Sequence, residues 1–521
     1  MRYCYSVIFR RVLLLGIVVA SGMSFAQQDA EKNIMRESWL EVETENFHIF
    51  SQLSSRQTLR VASNLEVWRE AAAFTVSGLV NFPQASVTNY VYLFADEESL
   101  GLFSPSADTA FFSPSPRANY MAFLPDDEGS MALGFHHYVH FLLRNFSDLR
   151  LPRWYEEGLA GYIARMRVSD GSVQFDRYTA KNHAQMAVLS ESLSMERLLY
   201  RDDALASPRL IQIANLKSET LLHYLLHAYE EEGFNDRRQQ LQQYLQFLMA
   251  GRNPRFAYDQ AFDITTAQLD EEFHDYLLNS QRPRGTVQAN LSALRTEYQG
   301  FQIEGVRLAI ALAELALNSG RFETAQTLFQ ASVDEDRNVA RGLSGLGDAL
   351  RMQEPEGRDQ EIARHFIEAV ELAPDDPYSL LDYGEYWEAE LGNCDKIWLP
   401  EQRASILADI DRRFNRALEL SPDSPEANLA LGQIYLLEGK DWKAGVGYQK
   451  KAFSLLPADT FVMEQAVKYA IIADEFEEAQ RLINELAQPI HYFGEPDWVG
   501  DLRVRLLKKR RGENYDECVQ N

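Results

Sequence analysis

The stretch PEANLALGQIYLLEGKDWKAGVGYQKKAFSLLP, residues 425–457, decides the fold of the second half of the chain. Its closing residues Ala452 and Pro457 have counterparts in two earlier segments, which end in Phe366, Ala369 and Pro374 and in Phe414, Ala417 and Pro422. Weaker copies contain Gly320, Phe322, Ala325 and Phe329, and Phe476 and Ala479. The recurrence of these glycine, phenylalanine, alanine and proline residues along the chain predicts stacked helical units after residue 300.

These segments resemble tetratricopeptide repeats (TPRs), which pair two helices in about 34 residues. In the clearest copy Leu431, Gly432, Tyr435, Ala444 and Tyr448 occupy key positions of the repeat. The resemblance implies an all-α solenoid over 305–490 whose concave face binds a protein or peptide partner. An unrelated helical bundle is the alternative. We also expect an insertion near 393–403 to project as a loop, and the repeats to fold without the rest of the chain.

The N-terminus has the layout of a secretory signal peptide. Arg2, Arg10 and Arg11 precede an apolar run over 12–20, and Ser24-Phe25-Ala26 offers small residues at the cleavage positions. We predict cleavage after Ala26 and an exported, periplasmic protein. An uncleaved membrane anchor is the alternative, although the run is short for a bilayer span of about 20 residues. No other apolar stretch is long enough, so no transmembrane segment is expected in the mature chain.

Composition excludes several classes of protein. The 521 residues carry 51 Lys and Arg against 77 Asp and Glu, a net charge of −26. Such an acidic surface repels phosphate backbones, so no nucleic-acid partner is expected. Cys4, Cys394 and Cys518 are too few for a disulfide framework. After cleavage only Cys394 and Cys518 remain; an oxidising compartment permits a bridge between them, but spacing alone cannot show it.

Between signal peptide and repeats, strand patterns come first and helical patterns follow. Strands are predicted at 38–53, 89–94 and 119–124, a loop at 103–118, and helices at 55–75, 130–144, 153–167 and within 207–280. This order is typical of an α+β domain with a small sheet. The predicted organisation is a signal peptide at 1–26, an α+β domain at 27–285, a linker at 286–304, repeats at 305–490 and a C-terminal tail at 491–521.

The predicted helix 130–144 contains the sequence FHHYVH, residues 135–140. His136 and His140 are four residues apart and share one helix face, so their ring nitrogens can hold one zinc ion. Glu157 follows in LPRWYEEGLA, residues 151–160. A carboxylate from a second helix would complete a site of two histidines and one glutamate with an open fourth position. Two buried, hydrogen-bonded histidines on an apolar helix are the alternative.

The pair H-x-x-x-H with a downstream P-R-W-x-x-E-G-L-A segment resembles the gluzincin metallopeptidases, in particular their bacterial peptidase MA-like branch. The resemblance implies that residues 27–285 form a gluzincin-like domain, with zinc ligands at His136, His140 and Glu157. It favours Glu157 over Glu156 as the ligand. Glu156 is expected to be an acid on the helix surface and Trp154 a packing residue. Relatives often carry an aromatic-rich segment facing the metal near 216–219, where this chain has no tyrosine.

His137 departs from the family pattern. The family motif is H-E-x-x-H, and its glutamate is the general base for the attacking water; this chain has histidine there. Imidazole can act as a base at neutral pH, yet its ring is wider and its reach differs from that of a carboxylate. One hypothesis is therefore an exported, non-catalytic or weakly active binding protein with one zinc ion and a repeat region for partners. The alternative is an active zinc metallopeptidase that acts on periplasmic proteins or peptides.

Overall fold

The structure is a computed structural model and describes residues 30–31, 33–75, 86–106, 109–125, 128–146, 151–169, 172–174, 186–188, 191–200, 207–280, 286–287, 297–353, 357–437, 440–487 and 497–513. The predicted signal peptide, Cys4, Cys518 and the two ends of the predicted tail lie outside these residues. Over the described residues the chain is mostly helical, with a small mixed sheet whose strands come mainly from its N-terminal part.

The strands are β1 (Trp39–Glu43), β2 (His48–Ser51), β3 (Thr88–Leu93), β4 (Ala110–Pro114), β5 (Ala118–Phe123), β6 (Arg167–Ser169), β7 (Ser172–Gln174), β8 (Thr286–Val287) and β9 (Gly300–Ile303). The first nine helices are α1 (Ser55–Thr75), α2 (Glu97–Gly101), α3 (Glu128–Asn145), α4 (Arg153–Ala164), α5 (Met195–Tyr200), α6 (Pro208–His227), α7 (Arg238–Met249), α8 (Pro254–Ala261) and α9 (Thr266–Asn279).

The remaining helices run in series to the end of the described chain: α10 (Gly305–Asn318), α11 (Phe322–Glu335), α12 (Ala340–Met352), α13 (Asp359–Leu372), α14 (Pro377–Leu391), α15 (Pro400–Leu420), α16 (Pro425–Ile434), α17 (Trp442–Leu455), α18 (Thr460–Ile472), α19 (Phe476–Leu486) and α20 (Asp497–Arg510). No helix among the described residues combines the length and the apolar character that crossing a bilayer requires.

Chain contacts divide the protein into two compact units. The sheet–repeat unit comprises Met1–Thr58, Gln84–Leu124 and Gln299–Asn521, and the histidine unit comprises Leu59–Pro83 and Pro125–Tyr298. This division differs from the predicted one, which assigned the strands of 27–285 to a separate domain and 286–304 to a linker. The physical reason is β9, which lies in the predicted linker and pairs with β1.

The main sheet lies in the sheet–repeat unit, with strand order β4-β5-β3-β2-β1-β9. β2, β3 and β5 run parallel, whereas β4, β1 and β9 are antiparallel to their neighbours. The single strand predicted over 38–53 is in fact the hairpin β1–β2, because Thr44 and Phe47 close a turn through a backbone hydrogen bond of 2.9 Å. The loop predicted over 103–118 contains β4, which pairs along β5.

The sheet and the first repeat helices share one hydrophobic core. Phe50, Tyr92 and Phe94 from the strands belong to the same buried cluster as Leu312 and Phe329 from α10 and α11. The Tyr92 hydroxyl also donates a hydrogen bond of 2.8 Å to the carbonyl oxygen of Ala311. The sheet is therefore part of the folding unit that contains the repeats.

The repeat region consists of consecutive helix pairs, and its recurring residues lie where these helices touch. A Cβ atom added to Gly384 of α14 would approach a Phe414 ring carbon of α15 to 2.1 Å, so only glycine permits this contact. Gly345 of α12 has the same relation to Phe329. In the predicted insertion, Ile397 is 98% exposed and Cys394 is disulfide-bonded.

The histidine unit contains most of α1, helices α3 to α9 and a small sheet of order β6-β7-β8. Trp68 of α1 stacks on Phe135 of α3, with ring centroids 4.4 Å apart. Its indole N–H donates to the carbonyl oxygen of Ile163 in α4 at 3.0 Å. Because Trp68 contacts both helices, it helps fix α3 and α4, which carry the predicted metal ligands.

Candidate metal centre

Helices α3 and α4 bring the three predicted ligands together. His136 and His140 lie one turn apart on α3, and Glu157 lies in the second turn of α4. The Nε2 atoms of the histidines are 3.2 Å apart, and Glu157 Oε2 lies 3.3 Å from Nε2 of His136 and 3.7 Å from Nε2 of His140. Among the described residues this is the group of three potential ligands that could hold a metal ion.

The donor set and its spacing fit zinc. Zinc–nitrogen and zinc–oxygen bonds of about 2.0–2.2 Å in a tetrahedron place neighbouring ligand atoms about 3.3–3.6 Å apart. The three observed distances bracket this value without rearrangement of the side chains. Two imidazoles and one carboxylate are also the donor types of catalytic zinc sites.

Glu156 lies behind the ligands rather than on the helix surface, so the sequence-based expectation for this residue is wrong. It is 7% exposed, and its Oε1 lies 3.0 Å from Nδ1 of His140. Arg144 donates to the same carboxylate from Nε at 2.8 Å. A carboxylate on Nδ1 holds the proton there and makes Nε2 the atom of His140 that could coordinate a metal, the usual arrangement behind metal-binding histidines.

Burial and neighbouring charges shift the pKa values of His136, His140 and Glu156 in opposite directions. Burial lowers the pKa of His136 below its usual value, and the nearby Glu157 only partly offsets this. Burial also opposes protonation of His140, but its hydrogen bonds to Glu156 and Glu157 outweigh this and raise its pKa. At Glu156 burial is outweighed by His140 and Arg144, which bring the pKa to about 2. Glu156 is therefore an anion at neutral pH.

His137 is not part of the converging group. Its side chain is half-buried, and its ring is perpendicular to that of His136 with centroids 5.8 Å apart. The residue one position after His136 points about 100° around the helix axis, which explains this separation. Trp154, in contrast, packs as expected: it is buried, and its N–H donates to the Tyr244 hydroxyl at 3.2 Å.

Two glycines let α6 approach α4 beside the centre. A Cβ atom on Gly158 would lie 2.6 Å from the carbonyl oxygen of Ser218, and one on Gly161 would lie 2.9 Å from the carboxylate of Glu219. Glu219 is buried, pairs with Arg165 and acts electrostatically to raise the pKa of His136. The acid Glu219 of α6 therefore lies against Gly161, which follows Glu157 by one turn of α4.

Sequence reasoning missed the roles of Glu156 and Glu219. A signal existed in Gly158 and Gly161, because two glycines three apart on a helix mark a close approach of another backbone. It did not identify which helix would approach. The other histidine pair, His223 and His227 on α6, contacts the tyrosines Tyr276 and Tyr162 instead.

We predict that Glu156→Gln lowers the affinity for zinc about 10–100-fold, because an amide no longer fixes His140 as a carboxylate does. Competition with a chromophoric chelator measures this affinity. Glu196→Gln is the matched control, since Glu196 is an exposed acid of the same unit that pairs with Arg255. Equal affinities for the wild type and Glu156→Gln would mean that Glu156 does not orient a ligand.

Comparisons with known proteins identify no family. No family model matches the sequence, and no curated protein matches it. Among solved structures, a thermophilic TPR protein of Thermus thermophilus is similar at 17% identity and a TM-score of 0.32, covering 40% of this chain and 100% of that one. The pilF protein of Pseudomonas aeruginosa is similar at 16% identity and a TM-score of 0.30, covering 40% and 84%. At this level of similarity, the description of the repeats rests on the helix pairs themselves.

Proposed function

We propose that the protein is an exported binding protein with a degenerate gluzincin-like domain and a TPR region that docks a protein or peptide. The gluzincin-like domain would hold one zinc ion through His136, His140 and Glu157 and would be non-catalytic or weakly active. The observation that carries the proposal is the convergence of their ligand atoms at 3.2, 3.3 and 3.7 Å. Glu156 on Nδ1 of His140 supports it independently, because a hydrogen-bonded carboxylate behind a ligand is typical of metal sites.

A zinc ion at this centre would supply Lewis acidity toward a bound carbonyl or water. This chain's own residues would bind and orient, but the proton acceptor of the family motif is absent because residue 137 is histidine. The half-buried ring of His137 also occupies space that a short carboxylate would leave open. These features favour binding over cleavage.

Export is supported by the signal-peptide pattern and by chemistry elsewhere in the chain. Cys394 is disulfide-bonded, and disulfides persist in oxidising compartments such as the bacterial periplasm. Cleavage after Ala26 would remove Cys4 and leave Cys518 as the only other cysteine of the mature chain. A periplasmic protein is therefore the location we propose.

An active zinc metallopeptidase is the second candidate. The observation in its favour is the complete ligand set, together with the buried acid Glu219 against Gly161. This candidate requires that His137 or another group accept the proton that the motif glutamate takes in gluzincins.

Metal analysis of the purified mature protein tests the proposal. We expect about one zinc ion per chain, and we expect the double variant His136→Ala/His140→Ala to lose it, because a single carboxylate cannot hold the ion. The double variant His223→Ala/His227→Ala is the matched control. It has the same spacing on α6, and although Glu230 lies 2.9 Å from Nδ1 of His227, this pair is not part of a group of three potential ligands among the described residues. Zinc-free wild type would refute the proposed centre, and full occupancy in His136→Ala/His140→Ala would place the metal elsewhere.

A further inference from the structure

The first helices of the repeat pairs form one continuous layer in the sheet–repeat unit. α10, α12, α14, α16 and α18 each contact the next in this order. We call this layer the inner layer. In TPR arrays the equivalent surface is the concave face that usually receives a ligand.

Part of the inner layer already holds a guanidinium group from the same chain. Arg117 belongs to the turn between β4 and β5, which is closed by a hydrogen bond of 3.1 Å from the Ser115 N–H to the Ala118 carbonyl oxygen. Its Nε lies 2.9 Å from both carboxylate oxygens of Glu426 on α16, and its Nη2 lies 2.6 Å from Asp382 on α14. The guanidinium also lies over the Tyr378 ring, 5.2 Å from its centroid.

The surrounding groups make this a built site. The side chains of Asp382 and Glu426 are only 1% and 7% exposed, and that of Arg117 is 13% exposed. Arg341 of α12 pairs with the other oxygen of Asp382 and with Glu314 of α10, and Glu314 also accepts from the Tyr120 hydroxyl of β5 at 3.3 Å. Three carboxylates thus pair with two arginines, one supplied by the repeats and one by the turn of the sheet, and Glu385 is a further acid that acts electrostatically on Arg117 and Glu426.

The charge balance depends on Arg117. Burial favours the neutral form of Asp382, but Arg117 and Arg341 outweigh it and hold its pKa at about 2. At Glu426 burial has the larger influence and raises the pKa to about 7 despite Arg117. Without Arg117, the buried carboxylates of Asp382 and Glu426 would lose their shared partner and keep only the charge of Arg341 nearby, which is strongly unfavourable.

We propose that the inner layer is a guanidinium-binding surface, built from Asp382, Glu426 and Tyr378, whose occupant is the chain's own Arg117. The repeats therefore use this part of their inner layer to hold the sheet. A planar, five-donor guanidinium matches two carboxylates and an aromatic face in a way that an ammonium does not. The proposal is independent of zinc and of the proposed metal centre.

Chemical rescue of an Arg117→Ala variant in the full mature chain tests it. We expect the variant to unfold at a temperature lower by about 5–10 °C, because buried carboxylates lose their partner. Guanidinium chloride at low millimolar concentration should raise the unfolding temperature of Arg117→Ala by several degrees, although for the wild type it is only a weak denaturant at that level. Sodium chloride and urea at the same concentration serve as controls and should not rescue.

Three further variants sharpen the result. Arg117→Lys keeps the positive charge but lacks the planar guanidinium with its paired donors, so its unfolding temperature should lie between those of the wild type and Arg117→Ala. Guanidinium should not raise the unfolding temperature of Arg117→Ala/Glu426→Gln, because this variant lacks one of the two carboxylates that bind the guanidinium group. Arg412→Ala, which removes an exposed arginine paired with Asp409, should leave the unfolding temperature unchanged.

These measurements decide whether Arg117 occupies a guanidinium-binding site. An unchanged unfolding temperature in Arg117→Ala, or a variant that guanidinium fails to stabilise, would overturn the proposal. If Arg117→Ala does not fold, its refolding yield with and without methylguanidinium replaces the unfolding temperature as the readout, and equal yields would overturn the proposal. Zinc content should be the same in the wild type and Arg117→Ala, which separates this test from that of the metal centre.

Discussion

Replacing His137 with glutamate is expected to raise the rate of peptide hydrolysis by about 10²–10⁴-fold, the usual contribution of a positioned general base. Residue 137 follows His136, the first proposed ligand, by one helical position, and the gluzincin motif that this segment resembles carries its proton-accepting glutamate at that position. His137 instead presents a ring with its donor and acceptor on different atoms. We therefore expect hydrolysis by the wild type to be very slow or absent.

The measurement compares wild type, His137→Glu and His137→Ala on a mixed peptide library with added zinc. His137→Glu combined with His136→Ala and His140→Ala is the control, and it should be inactive because the ligands are gone. Rapid cleavage by the wild type together with an inactive His137→Ala would establish His137 as a working base and the protein as a peptidase. Inactivity of both the wild type and His137→Glu would show that catalysis is lost at more than this residue.

Separating the repeats from the sheet is expected to destroy the sheet–repeat unit. Large side chains of the shared core such as Tyr92, Leu312 and Phe329 are at most 1% exposed. Exposing each such side chain costs about 1.5–3 kcal/mol. A few of them equal the whole stability of about 5–15 kcal/mol that is typical of a protein. In contrast to the expectation from sequence, we therefore expect that the repeats do not fold without the sheet.

Two experiments measure this dependence. A fragment covering 297–513 should aggregate or lack a cooperative thermal transition by circular dichroism. A full chain with a protease site inserted between 288 and 296 should, after cutting, still elute as one species, because β9 pairs with β1 and the strands pack on α10. The uncut chain with the same insertion is the control. A well-folded fragment, or pieces that separate on cutting, would contradict the shared core.

The repeats were predictable because their signals are local. Phe414 packs on Gly384 of the preceding helix in the same pair, so a short window of sequence contains both partners. The packing of the sheet on the repeats had no such signal. Arg117 and Glu426 are 309 residues apart, and Tyr120 and Glu314 are 194 apart. Neither pair has a spacing that a periodic pattern could reveal.

The arrangement of the candidate metal centre was predictable to different degrees. The spacing of His136 and His140 predicts a shared helix face, and the resemblance to gluzincins pointed to Glu157. The role of Glu156 was not predictable, because every residue of α4 from Trp154 to Ala164 is buried. A helix that is covered on all sides has no polar face from which the inward acid could be distinguished.

The pairing of β1 with β9 sets the order in which the chain can mature. β1 emerges early during synthesis, but its partner at 300–303 and the helices that cover the sheet emerge more than two hundred residues later. Until then the apolar faces of the early strands stay exposed, which favours aggregation, and the long-range pairing that buries them forms slowly. The N-terminal strands therefore cannot complete their folding before the helices that follow them are made. Substitutions in α10 or α11 should delay the step in which these strands reach their native structure.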